Sequence, residues 1–181
     1  MNLPNLITLG RLLLVPLAIW LILAGDFAAA FWTFVVAGVS DAADGFIAKK
    51  FGMTTELGAL LDPVADKVLL VSVYATLGIA GQLPAWLVIL VIFRDLMIVG
   101  GFLFIQLLFR KLRWEPLVIS KINTALQIVL AAFTLARLGL GIADRGVGEA
   151  LILAAAGTTV LSGAAYLVRW TRSIAGAEGT G

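Results

Sequence analysis

The sequence contains no cysteine and no histidine among its 181 residues. These absences exclude disulfides, thiol nucleophiles and zinc fingers, and they remove the side chain that most often carries protons near neutral pH. Any acid–base chemistry therefore falls to Asp, Glu, Lys or Tyr. Charged residues are also scarce, at 13% of the chain against 61% hydrophobic residues. A soluble domain of this length could not bury so much apolar surface, so the composition predicts an integral membrane protein.

The formal net charge is only +2, and the basic residues lie mainly between hydrophobic runs. This distribution is typical of membrane topology and does not indicate a nucleic-acid partner. The first apolar stretch lacks the basic start and the small-residue exit of a signal peptide, so we do not expect it to be removed.

Six apolar segments are long enough to cross a bilayer core, which requires about 20 residues. We predict spans at residues 10–24, 27–49, 57–80, 84–109, 117–140 and 147–170. Small residues recur inside these segments, which allows close helix packing in lipid. The sequence therefore predicts one all-α membrane domain over residues 1–181, with residues 1–9 as a short interfacial helix and residues 173–181 as a flexible tail.

The basic residues of the loops and tail fall mostly on one side of the predicted bundle. That side holds Lys49, Lys50, Arg110, Lys111, Arg113, Arg169 and Arg172. The other side has Arg145 as its only clear loop cation. By the positive-inside rule, we predict that both termini are cytoplasmic, and we expect the membrane to be a bacterial inner membrane.

Carboxylates lie inside the second and third hydrophobic segments. Asp41 and Asp44 are three residues apart, and Asp62 and Asp66 are four apart, so each pair projects from one face of its own helix. Two adjacent antiparallel helices would bring all four together. Such a cluster repels itself and is costly in a membrane interior, so it requires strongly shifted pKa values or bound cations. Oxygen ligands alone favour a hard ion such as Mg²⁺, with Mn²⁺ or Ca²⁺ as alternatives.

Two other interpretations of these acids remain open on charge alone. Intramembrane carboxylates can serve the proton relay or ion pathway of a cation transporter. A purely structural role is less favoured, because too few buried cations exist to pair with all four acids. The nearest one, Lys67, points about 100° away from Asp66 on a helix.

The spacing of the acids resembles a family signature. From Asp41 the sequence reads D-A-A-D-G-F-I-A-K, and Gly58, Asp62 and Asp66 follow after eight, three and three residues. This resembles the CDP-alcohol phosphatidyltransferase signature, D-x2-D-G-x2-A-R-x8-G-x3-D-x3-D. Lys49 stands where the family has Arg, which keeps the positive charge but loses the bidentate fork to phosphate.

The resemblance implies an enzyme that transfers the phosphatidyl group of CDP-diacylglycerol to an alcohol within membrane lipids and releases CMP. The segment P-N-L-I-T-L-G-R at residues 4–11 is also similar to the family's N-terminal element. The family implies a homodimer, two Mg²⁺ or Mn²⁺ ions and Asp66 as the base. The implied metal ligands are Asp41, Asp44, Asp62 and Asp66. The implied nucleotide and CDP-lipid pocket is lined by Asn5, Thr8, Gly45, Ala48, Lys49, Thr55 and Gly58.

Two later segments bear on the acceptor alcohol. I-F-R-D-L-M-I-V at 92–99 and I-S-K-I-N-T-A-L-Q at 119–127 resemble the branch with phosphatidylglycerophosphate synthases and cardiolipin synthases, and more the cardiolipin type. We therefore expect phosphatidylglycerol as acceptor, with glycerol 3-phosphate as the alternative. Both carry an anionic phosphate, so Arg94 and Lys121 are predicted acceptor ligands. The alternative roles are helix-end snorkelling or structural pairing with Asp95.

Overall fold

The computed structural model describes the backbone of residues 3–51, 56–109 and 117–178, and the side chains of residues 10, 12–40, 67–101 and 117–171. Within these ranges every regular element is an α-helix and there is no strand, which confirms the all-α part of the predicted fold class. The helices are α1 Leu3–Leu23, α2 Phe27–Phe51, α3 Glu56–Ile79, α4 Ala85–Phe109, α5 Val118–Leu140 and α6 Val147–Glu178.

The helices pack through a continuous apolar core. α1 packs against α2 and α3, α5 packs against α2 and α6, and α4 packs against α6 and α3. Small residues lie at these contacts, as Ala30, Ala131 and Ala155 are fully buried. At Gly139 the end of α5 approaches the start of α2 so closely that a Cβ would clash with the backbone of Phe27 and Ala28. Close approach of backbones in this way is what small residues permit in membrane helices.

Short turns connect α1 to α2, α3 to α4 and α5 to α6, and two acidic residues in them act as helix caps. The backbone N–H of Ala29 donates to Asp26 Oδ1 at 3.1 Å at the start of α2. The N–H of Gly148 donates to Asp144 Oδ1 at 2.6 Å at the start of α6. These carboxylates satisfy N–H groups that the first helical turn leaves without partners, so both have a structural explanation.

The predicted interfacial helix at residues 1–9 is not a separate element. α1 runs without interruption from Leu3 to Leu23, so the described part of that segment forms the first turns of the first long helix. Pro4 is tolerated because it stands in the first turn, where its missing N–H removes no helical hydrogen bond. No turn separates it from the apolar run that follows.

The C-terminal helix is longer than the predicted span. α6 extends to Glu178, so residues 173–178 of the predicted tail are helical. Their flexibility stays a prediction, and residues 179–181 lie outside the described residues.

The described surface carries many apolar side chains. Val118–Leu140 and Val147–Thr171 are long and apolar enough to cross a membrane, and shorter apolar runs are Leu12–Leu23, Phe27–Ser40 and Lys67–Ile79. Large side chains such as Leu13 and Ile79 are 68% and 79% exposed. Soluble monomers rarely expose large contiguous apolar patches. Two of the six predicted membrane spans thus meet the length and composition test, and the other four stay predictions.

Candidate functional site

The predicted acidic motif spans the C-terminal part of α2 and the N-terminal part of α3. Asp41 and Asp44 belong to α2, while Asp62 and Asp66 belong to α3, so both pairs flank the same link. Their side chains lie outside the described residues, and so do those of the pocket residues Asn5, Thr8, Gly45, Ala48, Lys49, Thr55 and Gly58. Their convergence around metal therefore stays a prediction. Among the side chains that the structure describes, no three acidic residues gather into an alternative metal site.

A group of charges, two of them buried, lies directly beside this motif along α3. The carboxylate of Asp95 on α4 is 5% exposed and has a cation on each oxygen. Its Oδ1 lies 2.7 Å from Arg94 Nη1, and its Oδ2 lies 2.7 Å from Lys67 Nζ. Lys67 is the residue after Asp66 on α3. The ion pair therefore attaches the motif-bearing part of α3 to α4. We call Lys67, Arg94 and Asp95 the charged triad.

Arg94 extends the charged triad to two more helices. Its Nη2 donates to Ser120 Oγ on α5 at 2.6 Å and also to Ser162 Oγ on α6. The guanidinium is only 3% exposed. Arg94 lies in the middle of α4, so its position does not fit helix-end snorkelling, whereas the structural pairing with Asp95 is present. Its role as an acceptor ligand stays a prediction, and little of its surface is open to a substrate.

Lys121, the other predicted acceptor ligand, is placed differently. It lies in the first turn of α5 and is exposed, next to Ser120, which contacts Arg94. The structure thus brings the segment of Lys121 against that of Arg94 through Ser120. Its contact with an acceptor stays a prediction.

The inward face of α5 continues as a polar stripe. Asn123 Oδ1 accepts hydrogen bonds from Thr158 and Thr159 of α6 at 2.9 and 2.8 Å. Tyr74 of α3 donates to the backbone carbonyl of Gln127 at 3.0 Å. The amide nitrogen of Asn123 and both amide atoms of Gln127 are buried without partners among the described residues. Such groups are rare in native proteins and indicate bound water or a ligand.

Sequence reasoning did not assign functional roles to several members of this network. From the sequence alone, Lys67 is only a residue that points away from Asp66, and Asn123 and Gln127 are only part of a segment that resembles the family. A signal was available, because polar and ionisable residues within membrane helices tend to face the interior of a bundle and to find partners there. What the sequence did not supply was the pairing, which joins residues as far apart as Arg94 and Ser162.

An apolar all-helical protein with ionisable groups inside its helices is typical of a membrane enzyme or carrier. A comparison with protein families decides between these classes. The model described as CDP-alcohol phosphatidyltransferase matches residues 1–161. The chain belongs to the CDP-alcohol phosphatidyltransferase family, as the motif predicts, and this membership favours an enzyme over a cation transporter.

Several curated proteins are similar to the chain. Cardiolipin synthase (CMP-forming) of Rattus norvegicus is 34% identical over 183 aligned positions, which cover 91% of this chain and 60% of that protein. The Homo sapiens protein of the same name is 33% identical with the same coverage. CDP-diacylglycerol–glycerol-3-phosphate 3-phosphatidyltransferase 1, chloroplastic, of Oryza sativa subsp. japonica is 36% identical over 75% of this chain and 46% of that protein. The chain thus spans at most 60% of these relatives' lengths.

Proposed function

We propose that the chain transfers the phosphatidyl group of CDP-diacylglycerol to phosphatidylglycerol, which forms cardiolipin and releases CMP. The observation that carries this proposal is the 34% identity to a cardiolipin synthase (CMP-forming) across 91% of the chain. The segments at 92–99 and 119–127 support it, because they resemble the cardiolipin type more closely.

Glycerol 3-phosphate is the second candidate acceptor. It is favoured by the rice relative named above and by a probable phosphatidylglycerophosphate synthase of Mycobacterium tuberculosis (strain ATCC 25618 / H37Rv), which is 38% identical over 52% of this chain. Either acceptor presents a hydroxyl to the same activated phosphorus. The chemistry of the motif is therefore the same for both candidates.

The donor set of the motif fits a divalent ion such as Mg²⁺ or Mn²⁺, because it offers four carboxylates and neither His nor Cys. Asp41, Asp44, Asp62 and Asp66 would hold two such ions. When bound, the ions neutralise negative charge on the diphosphate of the CDP-lipid and on the departing CMP. Gly45 and Gly58 leave room for the nucleotide to approach the helices.

Asp66 acts in this proposal as the general base. It takes the proton of the acceptor hydroxyl as the hydroxyl oxygen attacks the lipid-side phosphorus and the bond to CMP breaks. A carboxylate is a weak base for an alcohol, so holding the hydroxyl close to both Asp66 and the phosphorus supplies much of the rate. Lys49 places a positive charge near the diphosphate in the position of the family's Arg.

The setting of the reaction is also a proposal. We propose six membrane spans, cytoplasmic termini, a bacterial inner membrane and a homodimer. The apolar outer surface and the two described segments of sufficient length support a membrane location. The basic loops support the orientation through the positive-inside rule.

The experiment that tests the function is identification of the lipid product. Purified protein is incubated with CDP-diacylglycerol and Mg²⁺ or Mn²⁺, with phosphatidylglycerol in one arm and glycerol 3-phosphate in the other, and the lipids are analysed by mass spectrometry. We expect cardiolipin in the first arm and little product in the second. Phosphatidylglycerophosphate in the second arm alone would change the acceptor. Absence of CMP in both arms, with ion flux in vesicles, would replace the enzyme with the transporter.

A further inference from the structure

The charged triad carries more positive than negative charge. Two cations, Lys67 and Arg94, share the single carboxylate of Asp95 at 2.7 Å each. Their formal charges sum to +1. Within the described residues neither cation contacts a second carboxylate. A charge removed from water is costly unless an opposite charge accompanies it, so the triad is a place where an anion binds favourably.

The two cations differ in how open they are to such an anion. Arg94 is 3% exposed, and its Nη atoms already contact Asp95, Ser120 and Ser162. Lys67 has a 33% exposed side chain, and Asp95 is its partner among the described residues. An ammonium group has three donor hydrogens, so one partner leaves it with donor capacity. The excess positive charge is therefore accessible at Lys67.

We propose that Lys67 binds the phosphate of the acceptor alcohol, with Arg94 and Asp95 holding it in place. This proposal rests on the proposed function, and it assigns the direct anion contact to a residue other than the two that the sequence predicts. Both candidate acceptors carry the required group, which is the phosphodiester of phosphatidylglycerol or the phosphomonoester of glycerol 3-phosphate. A charge-assisted hydrogen bond from an ammonium to phosphate is the interaction expected.

The position of Lys67 in the chain suits this role. It directly follows Asp66, the proposed base for the acceptor hydroxyl. Successive residues of an α-helix point about 100° apart, so Asp66 and Lys67 would contact separate atoms of an acceptor that spans this angle. An alcohol that also bears a phosphate needs both contacts at once, because its hydroxyl must meet the base while its anionic group is held.

A different explanation is that the positive charge of Lys67 acts electrostatically on the neighbouring carboxylates of the motif. In that case its charge would affect the affinity for metal and the rate of the chemical step, and it would leave acceptor binding unchanged. A third explanation is that the Lys67–Asp95 pair only holds α3 against α4. Loss of the pair would then lower the thermal stability of the protein, and it would raise the KM values for the acceptor and for CDP-diacylglycerol equally.

The test compares Lys67→Met, Lys67→Arg and Arg137→Met with the unmodified protein. Arg137 is a matched control, because its side chain is 34% exposed and belongs to a looser ion pair, 4.0 Å from Asp144. Lys67→Met leaves Arg94 and Asp95 as a neutral buried pair, so the variant is expected to fold. For each protein, KM for the acceptor, KM for CDP-diacylglycerol, kcat and the Mn²⁺ concentration for half-maximal activity are measured, with phosphatidylglycerol and glycerol 3-phosphate as separate acceptors.

We expect Lys67→Met to raise the acceptor KM by about tenfold to a hundredfold, the range for loss of one hydrogen bond to a charged group. The KM for CDP-diacylglycerol, kcat and the Mn²⁺ requirement should stay within about twofold. The reason is that Lys67, in this proposal, contacts neither the CDP-lipid nor the metal. Lys67→Arg should retain most of the acceptor affinity, and Arg137→Met should behave as the unmodified protein. The acceptor whose KM responds identifies the source of the phosphate.

Three results would overturn the proposal. One is an unchanged acceptor KM in Lys67→Met for both acceptors. Another is a change confined to kcat or the Mn²⁺ requirement, and the third is an equal rise in both KM values with lowered thermal stability. Failure of the proposed function is seen separately, because the unmodified protein would then release no CMP with either acceptor.

Discussion

Two neighbouring regions of the molecule use ionisable residues in opposite ways. The motif on α2 and α3 concentrates four acids, with Lys49 at the basic position of its signature. The charged triad on α3 and α4 brings a carboxylate together with two cations, and hydroxyls of α5 and α6 complete it. Clustered carboxylates need a bound cation to offset their repulsion, whereas a carboxylate between two cations is largely neutralised by its neighbours. The first arrangement is suited to binding and chemistry, and the second is suited to holding helices together.

This difference separates the expected consequences of mutation. Changes in the motif should remove activity while the fold survives, because they relieve charge repulsion in the protein without substrate. Loss of Asp95 should affect folding, because it leaves the buried charge of Arg94 without its carboxylate. Lys67 belongs to both regions, since it follows Asp66 in the chain and contacts Asp95 in space.

The largest effect is expected from Asp66→Asn. Loss of the general base should lower kcat by about 10²- to 10⁴-fold, which is the usual contribution of such a group. The measurement is CMP release under saturating substrates. Asp26→Asn is the matched control, because Asp26 caps α2 and Asn is an equally good cap. Full activity of Asp66→Asn, or equal loss in both variants, would remove Asp66 from the mechanism.

The next effect concerns stability and falls on Asp95. Asp95→Asn would leave Lys67 and Arg94 without their carboxylate, and breaking a buried ion pair in this way costs about 3–5 kcal/mol. Thermal unfolding in detergent should show a strongly lowered midpoint or no folded protein. Lys67→Met should unfold near the temperature of the unmodified protein, because it leaves a neutral pair. Similar stability of all three proteins would show that the triad does not hold the helices together.

A smaller effect should follow from disturbing the close contact between the end of α5 and the start of α2. Gly139 of α5 lies against the backbone of Phe27 and Ala28 at the start of α2, the helix that carries Asp41 and Asp44. Gly139→Ala should lower the free energy of unfolding by about 1–3 kcal/mol, as overpacking of a close contact does. Gly157→Ala is the control, since its added Cβ meets no atom within 4 Å and Ala favours the helix. Equal stability of the two variants would mean that α2 and α5 can move apart without cost.

The smallest effect is expected at Gln127, the residue of the polar stripe whose side-chain amide lacks hydrogen-bond partners among the described residues. Both amide atoms are buried and have no partner among the described residues, so an apolar side chain of similar length removes a desolvation cost. Gln127→Met should change the free energy of unfolding by less than about 1 kcal/mol, in either direction. Denaturant unfolding in detergent measures this change. A loss well above that value would reveal a bound water or ligand on the amide.

The sequence predicted these regions unequally for a physical reason. The six helices among the described residues and the acidic motif depend on local apolar runs and short spacings, which are readable along the chain. The triad and the pairing of Asn123 with Thr159 depend on which helices become neighbours. That choice arises from packing over the whole bundle, so a sequence pattern named Arg94 but did not reveal its contacts with Ser120 and Ser162. The lead-in at residues 1–9 was predicted from its short, polar sequence, whereas α1 continues without interruption from Leu3 to Leu23.

The most direct measurement is CMP release from CDP-diacylglycerol on addition of phosphatidylglycerol, with and without a metal chelator. We predict one CMP for each cardiolipin formed, complete loss of turnover with the chelator, and recovery when Mg²⁺ or Mn²⁺ is added back. Turnover that continues unchanged in the chelator, or consumption of CDP-diacylglycerol without a new lipid, would contradict phosphatidyl transfer at a metal-bound acidic motif.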